Sequence, residues 1–309
     1  MARLHSLGVA LAFLAVTLSP SAAGAKSPEL AFVPPGMVSP FYAGVISGAK
    51  PEAKKLGYEF QIVAPERESD FAGQAKIVED MVERKVSGIA LCAINIEAVG
   101  AAVKKANEAK IPVVIFNSLI ALPSGEAFAY VGYDQRAGGA KVADYVAKVK
   151  GGKAKVAIIE GLPSTFTTDR KGGFVDQVKA KYPGIQVVAS QPGDWEREKS
   201  YNVAQNILQA NPDVDMFYGL SDEMALGAAR AVKEAGKKGV VIVGIDGNPN
   251  AIEAVAKGDI TATLGVNPGL IGQKAIQTLH KAIQGKPSPG KVVTDTVIID
   301  KANYKEFQK

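Results

Sequence analysis

The sequence predicts an α/β protein of two similar doubly wound parallel-sheet lobes with a ligand cleft between them. Three observations carry this. The 309 residues suit about two domains at the usual ~100–200 residues each. Short β-branched runs alternate with longer stretches whose apolar residues recur at i, i+3 and i+4, the pattern of βαβ units. An internal repeat lies at an offset of 127: Ala98-Val99-Gly100-Ala101-Ala102 matches Ala225-Leu226-Gly227-Ala228-Ala229. The same offset carries Val113-Val114-Ile115 onto Val240-Val241-Ile242, a second block in one register.

Taken in order, a first strand over 30–33 leads to a helix over 43–56, which Gly57 stops. Strand 60–63 precedes helix 74–84, and strand 88–91 precedes helix 98–109. Pro112 opens strand 113–116, and strand 127–131 leads to helix 138–149. Strands follow at 156–159, 186–189 (just after Gly184), 216–218, 240–243 and 262–266, with a helix over 226–235 ended by Gly236. The last β-branched run, 292–299, reads as one strand. Ligands of such sheets bind outside the carboxyl ends of the strands. The two repeated strands end in Asn117-Ser118 and, two residues later in register, Asp246-Gly247, which points to one site between the lobes.

Composition narrows the function. Hydrophobic residues make up 47% and charged residues 22%, an ordinary globular balance. The 36 basic and 31 acidic residues are interleaved, so the net +5 forms no basic stripe and a nucleic-acid partner is not expected. His5, His280 and Cys92 are the only residues of their types, too few for a zinc site, a Cys-His pair or a Ser-His-Asp triad. No Gly-x-Gly-x-x-Gly, P-loop or Gly-x-Ser-x-Gly motif occurs. The expectation is a binding protein with no catalytic residue, metal or cofactor, and the lone cysteine allows no internal disulfide.

The N-terminus reads as an export signal. Arg3 and His5 precede an apolar stretch over 7–18, and Ser21-Ala22-Ala23-Gly24-Ala25 offers a small-residue cleavage site after Ala25. That stretch is too short for a bilayer core, which needs ~20 residues. No cysteine follows it to carry a lipid anchor. A periplasmic location is expected.

Several motifs then occur in a specific order: Ser39-Pro40-Phe41-Tyr42, Lys55-Leu56-Gly57-Tyr58, Ile111-Pro112-Val113-Val114, Asp169-Arg170-Lys171-Gly172-Gly173-Phe174, Ser221-Asp222-Glu223-Met224-Ala225-Leu226-Gly227 and Val243-Gly244-Ile245-Asp246-Gly247. Together they resemble the periplasmic sugar-binding proteins of ABC transporters, in the branch of the ribose binders. LacI-type repressors share that core but begin with a helix-turn-helix where this chain has its export signal. The resemblance implies three hinge strands and a ligand clamped at the cleft. It places lobe one at 26–133 plus 267–295 and lobe two at 134–266 plus 296–309, after a leader of 1–25. It also implies a monomer that carries a monosaccharide or polyol to a membrane permease. The alternative is a sensory protein presenting its ligand to a chemoreceptor or histidine kinase.

The resemblance assigns roles residue by residue. Phe41 and Trp195, with Tyr42 beside them, correspond to aromatics that sandwich the apolar faces of a sugar ring. Arg170, in Arg-x-x-Gly-Phe, corresponds to the guanidinium that donates to adjacent hydroxyls, and Asp246 to an acceptor. Asn117 and Ser221 occupy strand ends. The departures fall on the remaining polar contacts: Asn117-Ser118 replaces an Asp-Arg pair, Cys92 an amide, Ser221 an asparagine, and Val266 with Asn267 a hinge glutamine. A pocket matched to one hydroxyl pattern rejects others. The expected ligand is therefore a different monosaccharide, a deoxy sugar or a polyol rather than ribose.

Overall fold

The computed structural model describes residues 27–308, in which the chain lays down two six-stranded sheets in turn. The predicted leader lies outside the described residues. The first sheet is built from β1 (Glu29–Val33), α1 (Pro40–Lys55), β2 (Glu59–Ile62), α2 (Phe71–Glu83), β3 (Gly88–Leu91), α3 (Ile96–Glu108), β4 (Val113–Phe116) and β5 (Ala129–Gly132). The chain then crosses over. It continues as α4 (Gln135–Lys150), β6 (Ala154–Glu160), α5 (Thr165–Lys181), β7 (Ile185–Pro192) and α6 (Arg197–Ala210). This half closes with β8 (Met216–Gly219), α7 (Asp222–Glu234), β9 (Val241–Asp246), α8 (Pro249–Lys257) and β10 (Ala262–Gly265). It returns to the first sheet with α9 (Pro268–Ile283) and β11 (Gly290–Val293), and crosses a last time into β12 (Val297–Asp300).

Strand order is β11-β5-β4-β3-β1-β2 in one sheet and β12-β10-β9-β8-β6-β7 in the other. The repeated strands, β4 and β9, hold the same place in their sheets. Alternation along each strand decides the layers. Leu30 and Phe32 of β1 face α1 and α9, whereas Ala31 and Val33 face α2 and α3 in a separate apolar cluster. In the second lobe, α4 packs on α5 and α6 on α7, with the sheet between. Side-chain caps start the helices that begin near the cleft: Ser39 for α1, Asp134 for α4, Ser164 for α5 and Ser221 for α7. Each such cap contributes ~1 kcal/mol.

The run 292–299 is not one strand: β11 pairs parallel with β5 in the first sheet, and β12 pairs antiparallel with β10 in the second. Thr294, Asp295 and Thr296 carry the chain between the sheets, and Thr296 is held by Lys141 Nζ of α4, 2.8 Å from its Oγ1. β-branched residues dominate both halves of the run, so composition alone hides the break. The second sheet is accordingly parallel except at this edge. No helix among the described residues is long and apolar enough to cross a membrane.

Candidate ligand-binding site

The carboxyl ends of the two sheets face each other across one cavity. Ser39, Phe41, Tyr42, Glu68, Ile94 and Asn117 line it from the first lobe, and Phe166, Arg170, Trp195, Ser221 and Asp246 from the second. Seven of the nine sequence-designated residues are thus brought together.

On the first lobe, Ser39 Oγ accepts from the Phe41 amide at 3.3 Å and Pro40 opens α1, so both aromatics sit in the first helical turn. Their rings meet edge to face at 5.2 Å. Asn117 caps the end of β4 in a left-handed conformation, φ +62°. Its carbonyl accepts from Gln135 Nε2 at 2.9 Å, while its side-chain Oδ1 is buried with no hydrogen-bond partner.

On the second lobe, Arg170 lies inside α5 and is buried rather than exposed at a helix start. Its Nε donates to Gln135 Oε1 at 2.7 Å, and its Nη1 donates to the Leu220 carbonyl at 2.5 Å. The same Nη1 lies 3.6 Å from Asp246 Oδ1. Asp246 ends β9 at φ +137°, a costly conformation for a side chain that is not glycine. Burial pushes its carboxyl up, against the pull of Arg170. Asp222, buried behind it, is also pushed up by burial and by Asp246; it accepts from Thr263 and from the Asn248 amide. Asp246 is not the cap of α8; that position belongs to Asn248.

Trp195 is set by backbone. The Gly193 and Asp194 amides both donate to the Glu160 carbonyl, at 2.7 and 3.0 Å, hooking the loop onto the end of β6. Asp194 and Trp195 then both take positive φ, +55° and +69°. The indole lies flat over Gly161, where a Cβ would sit 2.0 Å from its Cζ2. Arg170 Cζ is 5.4 Å from the indole centroid, so the guanidinium is backed by an aromatic face.

Two designated residues stand outside the cavity. Cys92 is fully buried beneath Tyr42, its Sγ 3.8 Å from the phenol oxygen. Burial pushes its thiol up to about 12, so it stays neutral and acts as packing behind the site. Asn267 is exposed at φ +51°, and its side chain accepts from the Leu270 amide at 3.2 Å as the cap of α9. Glu68, Phe166, Ser39 and Ile94 line the cavity without having been singled out, and Gln135 braces it. Among the described residues no cluster of side chains suits a metal ion.

The model of the periplasmic binding protein domain matches residues 30–287. The chain belongs to that family. It is 34% identical over 298 residues to the ribose import binding protein of Escherichia coli (strain K12), covering 96% of this chain and 99% of that protein. It is 34% identical over 261 residues to the D-allose-binding periplasmic protein of the same strain, covering 82% and 84%. Among solved structures, a periplasmic solute-binding protein of an ABC transporter from Actinobacillus succinogenes 130z, with bound D-allose, superposes with a TM-score of 0.84 at 32% identity. That match covers 90% of this chain and 99% of the other.

Proposed function

We propose that this protein is the periplasmic solute-binding component of an ABC importer, holding a monosaccharide or polyol between its lobes and delivering it to a membrane permease. The observation that carries the reading is the meeting of an aromatic from each lobe, Phe41 and Trp195, with the Arg170–Asp246 pair on one cavity between the lobes. Apolar rings suit the C–H faces of a sugar, and the charged pair suits its hydroxyl rim. The site residues are then Phe41, Tyr42, Asn117, Arg170, Trp195, Ser221 and Asp246, with Cys92 and Asn267 in supporting positions. The relatives are proteins of import and binding, which supports transport over a sensory role.

The three passages between the sheets, at 133–134, 266–268 and 294–296, serve as the hinge, and divide the chain into lobes of 27–133 plus 267–295 and 134–266 plus 296–308. The protein works as a monomer without turnover. The test is a thermal-shift screen of purified protein across pentoses, hexoses, deoxy sugars and alditols. A ligand bound by the native state alone raises the melting temperature with concentration. Binding of one narrow set, recovered chemically intact, supports the reading; no shift across the panel, or turnover, overturns it.

A further inference from the structure

We propose that the ligand carries an ammonium group, as an amino sugar or amino polyol does, and that Glu68 is the residue that reads it. This rests on the sugar- or polyol-binding reading above and names the class within it. Glu68 stands in the loop between β2 and α2 and enters the cavity from the first lobe. Its side chain lies over Gly36, where a Cβ would meet its Cγ at 2.8 Å, so the facing loop is bare where the carboxylate reaches in.

No ion pair or hydrogen bond engages Glu68 among the described residues. Arg170, the single cation lining the cavity, already faces Asp246, Gln135 and the Leu220 carbonyl. The acidic groups that bear on Glu68 are Asp246 at the end of β9 and Glu196 before α6; Tyr42 on α1 and Arg170 on α5 line the same cavity, with Cys92 behind Tyr42 and Asp222 behind Asp246. Burial, then Asp246 and Glu196, push its carboxyl up to about 7. Acids from both lobes thus converge on a space holding one engaged guanidinium.

The open valences are acceptors as well. The Asn117 Oδ1 is buried and unpartnered, on a residue that lines the cavity from the same lobe as Glu68. A hydroxyl offers one donor and no charge, which leaves the excess acid uncompensated. An ammonium offers three donors and a positive charge, and it matches both deficits.

Calorimetry on pairs differing by one group tests this: 1-amino-1-deoxy alditols against their parent alditols, and 2-amino-2-deoxy aldoses against their parent aldoses. The expected result is an amino member bound at least about tenfold tighter than its parent. For the 1-amino-1-deoxy alditols, whose primary ammonium is close enough to lysine's at ~10.4 to stay charged, affinity should rise between about pH 6 and pH 8 as Glu68 ionises. Glu68→Gln, checked for cooperative melting, should bring the amino-to-parent ratio below about twofold and weaken the pH dependence, the remainder following Asp246. Glu196→Gln, at the rim, should lower the ratio by a smaller factor. Parents that bind as tightly as every amino partner overturn the proposal and leave the sugar reading standing. So does a preference that survives Glu68→Gln. If no member of any pair binds, the sugar or polyol reading falls and this inference falls with it.

Discussion

Arg170 holds the second lobe's half of the pocket together as well as lining the cavity. Its donors satisfy a buried carbonyl and Gln135, and its charge offsets Asp246. Arg170→Ala is therefore expected to cost stability and not affinity alone: breaking a buried pair from one side costs about 3–5 kcal/mol. Denaturant melts should show that loss and calorimetry the disappearance of binding, whereas a melt like the wild type's would mean that water replaces the guanidinium. Glu68 carries a pH effect, which Asp246, raised by burial into the same range, shares. The Glu68 carboxyl holds its proton more tightly in the folded chain, so its contribution to stability is full below about 4.5 and is lost as pH rises through about 7. The ligand-free protein should melt higher at pH 5.5 than at pH 7.5, with a smaller difference in Glu68→Gln; equal differences in the two would assign the effect to other acids. The places of Phe41, Arg170 and Asp246 on the cavity were legible in the sequence because each stands in an ordered motif, and that of Trp195 because the resemblance aligns it with a ring-stacking aromatic. Glu68 was not, because Glu66-Arg67-Glu68-Ser69-Asp70 reads as a solvated loop and only the tertiary placement of Gly36 turns it inward. Cys92 and Asn267 hold positions next to the site, but sequence position does not reveal that Tyr42 covers one and that the other caps a helix.

The helices that carry these residues are set by backbone contact. In α4 and α5 a Cβ at Gly139 would lie 2.1 Å from the Arg170 carbonyl, and one at Gly173 would lie 1.9 Å from that of Arg136. The first lobe repeats the device: Gly48 of α1 against Gly269, and Gly272 of α9 against Val45, each at 1.9 Å from a carbonyl oxygen. Gly139→Ala should push α5 outward and take Arg170 with it, at an overpacking cost of about 1–3 kcal/mol and a clear loss of affinity. Gly172→Ala meets only the end of the Arg136 side chain, at 2.7 Å, and should be mild because alanine favours helix. Melting and ligand titration of the two variants separate the outcomes; equal effects would show that α5 is not placed by this contact. Most elements were legible from periodicity, since parallel strands buried on both faces read as unbroken apolar runs. Helix starts lie earlier in the structure than the apolar period alone predicts: α1 begins at Pro40, whose ring is accepted at the first helical position, and α7 at Asp222, in a first turn whose acids carry no apolar period.

At the scale of the whole molecule, the duplicated lobes put β4 and β9 in equivalent places, so their ends, Asn117 and Asp246, face one another across a single cavity. The repeat made this symmetry legible; the strand switch at 294–296 was masked by its β-branched neighbours. Only three short passages join the lobes, and across the cleft Glu68 of one lobe faces Asp246 and Glu196 of the other. Without a ligand, that like-charge repulsion and the hydration of Arg170 and Asp246 favour an open cleft. A ligand touching both walls binds the closed arrangement better and shifts the population toward it. Small-angle scattering should therefore give a larger radius of gyration for the ligand-free protein, falling with ligand along the same isotherm as the thermal shift. Trp195, the single tryptophan, offers a second readout from the cleft itself: its emission should change with the same midpoint as water leaves the indole. A scattering curve unchanged at saturating ligand, with emission that still titrates, would mean a pocket preformed between fixed lobes, and the three passages would then be struts rather than hinges.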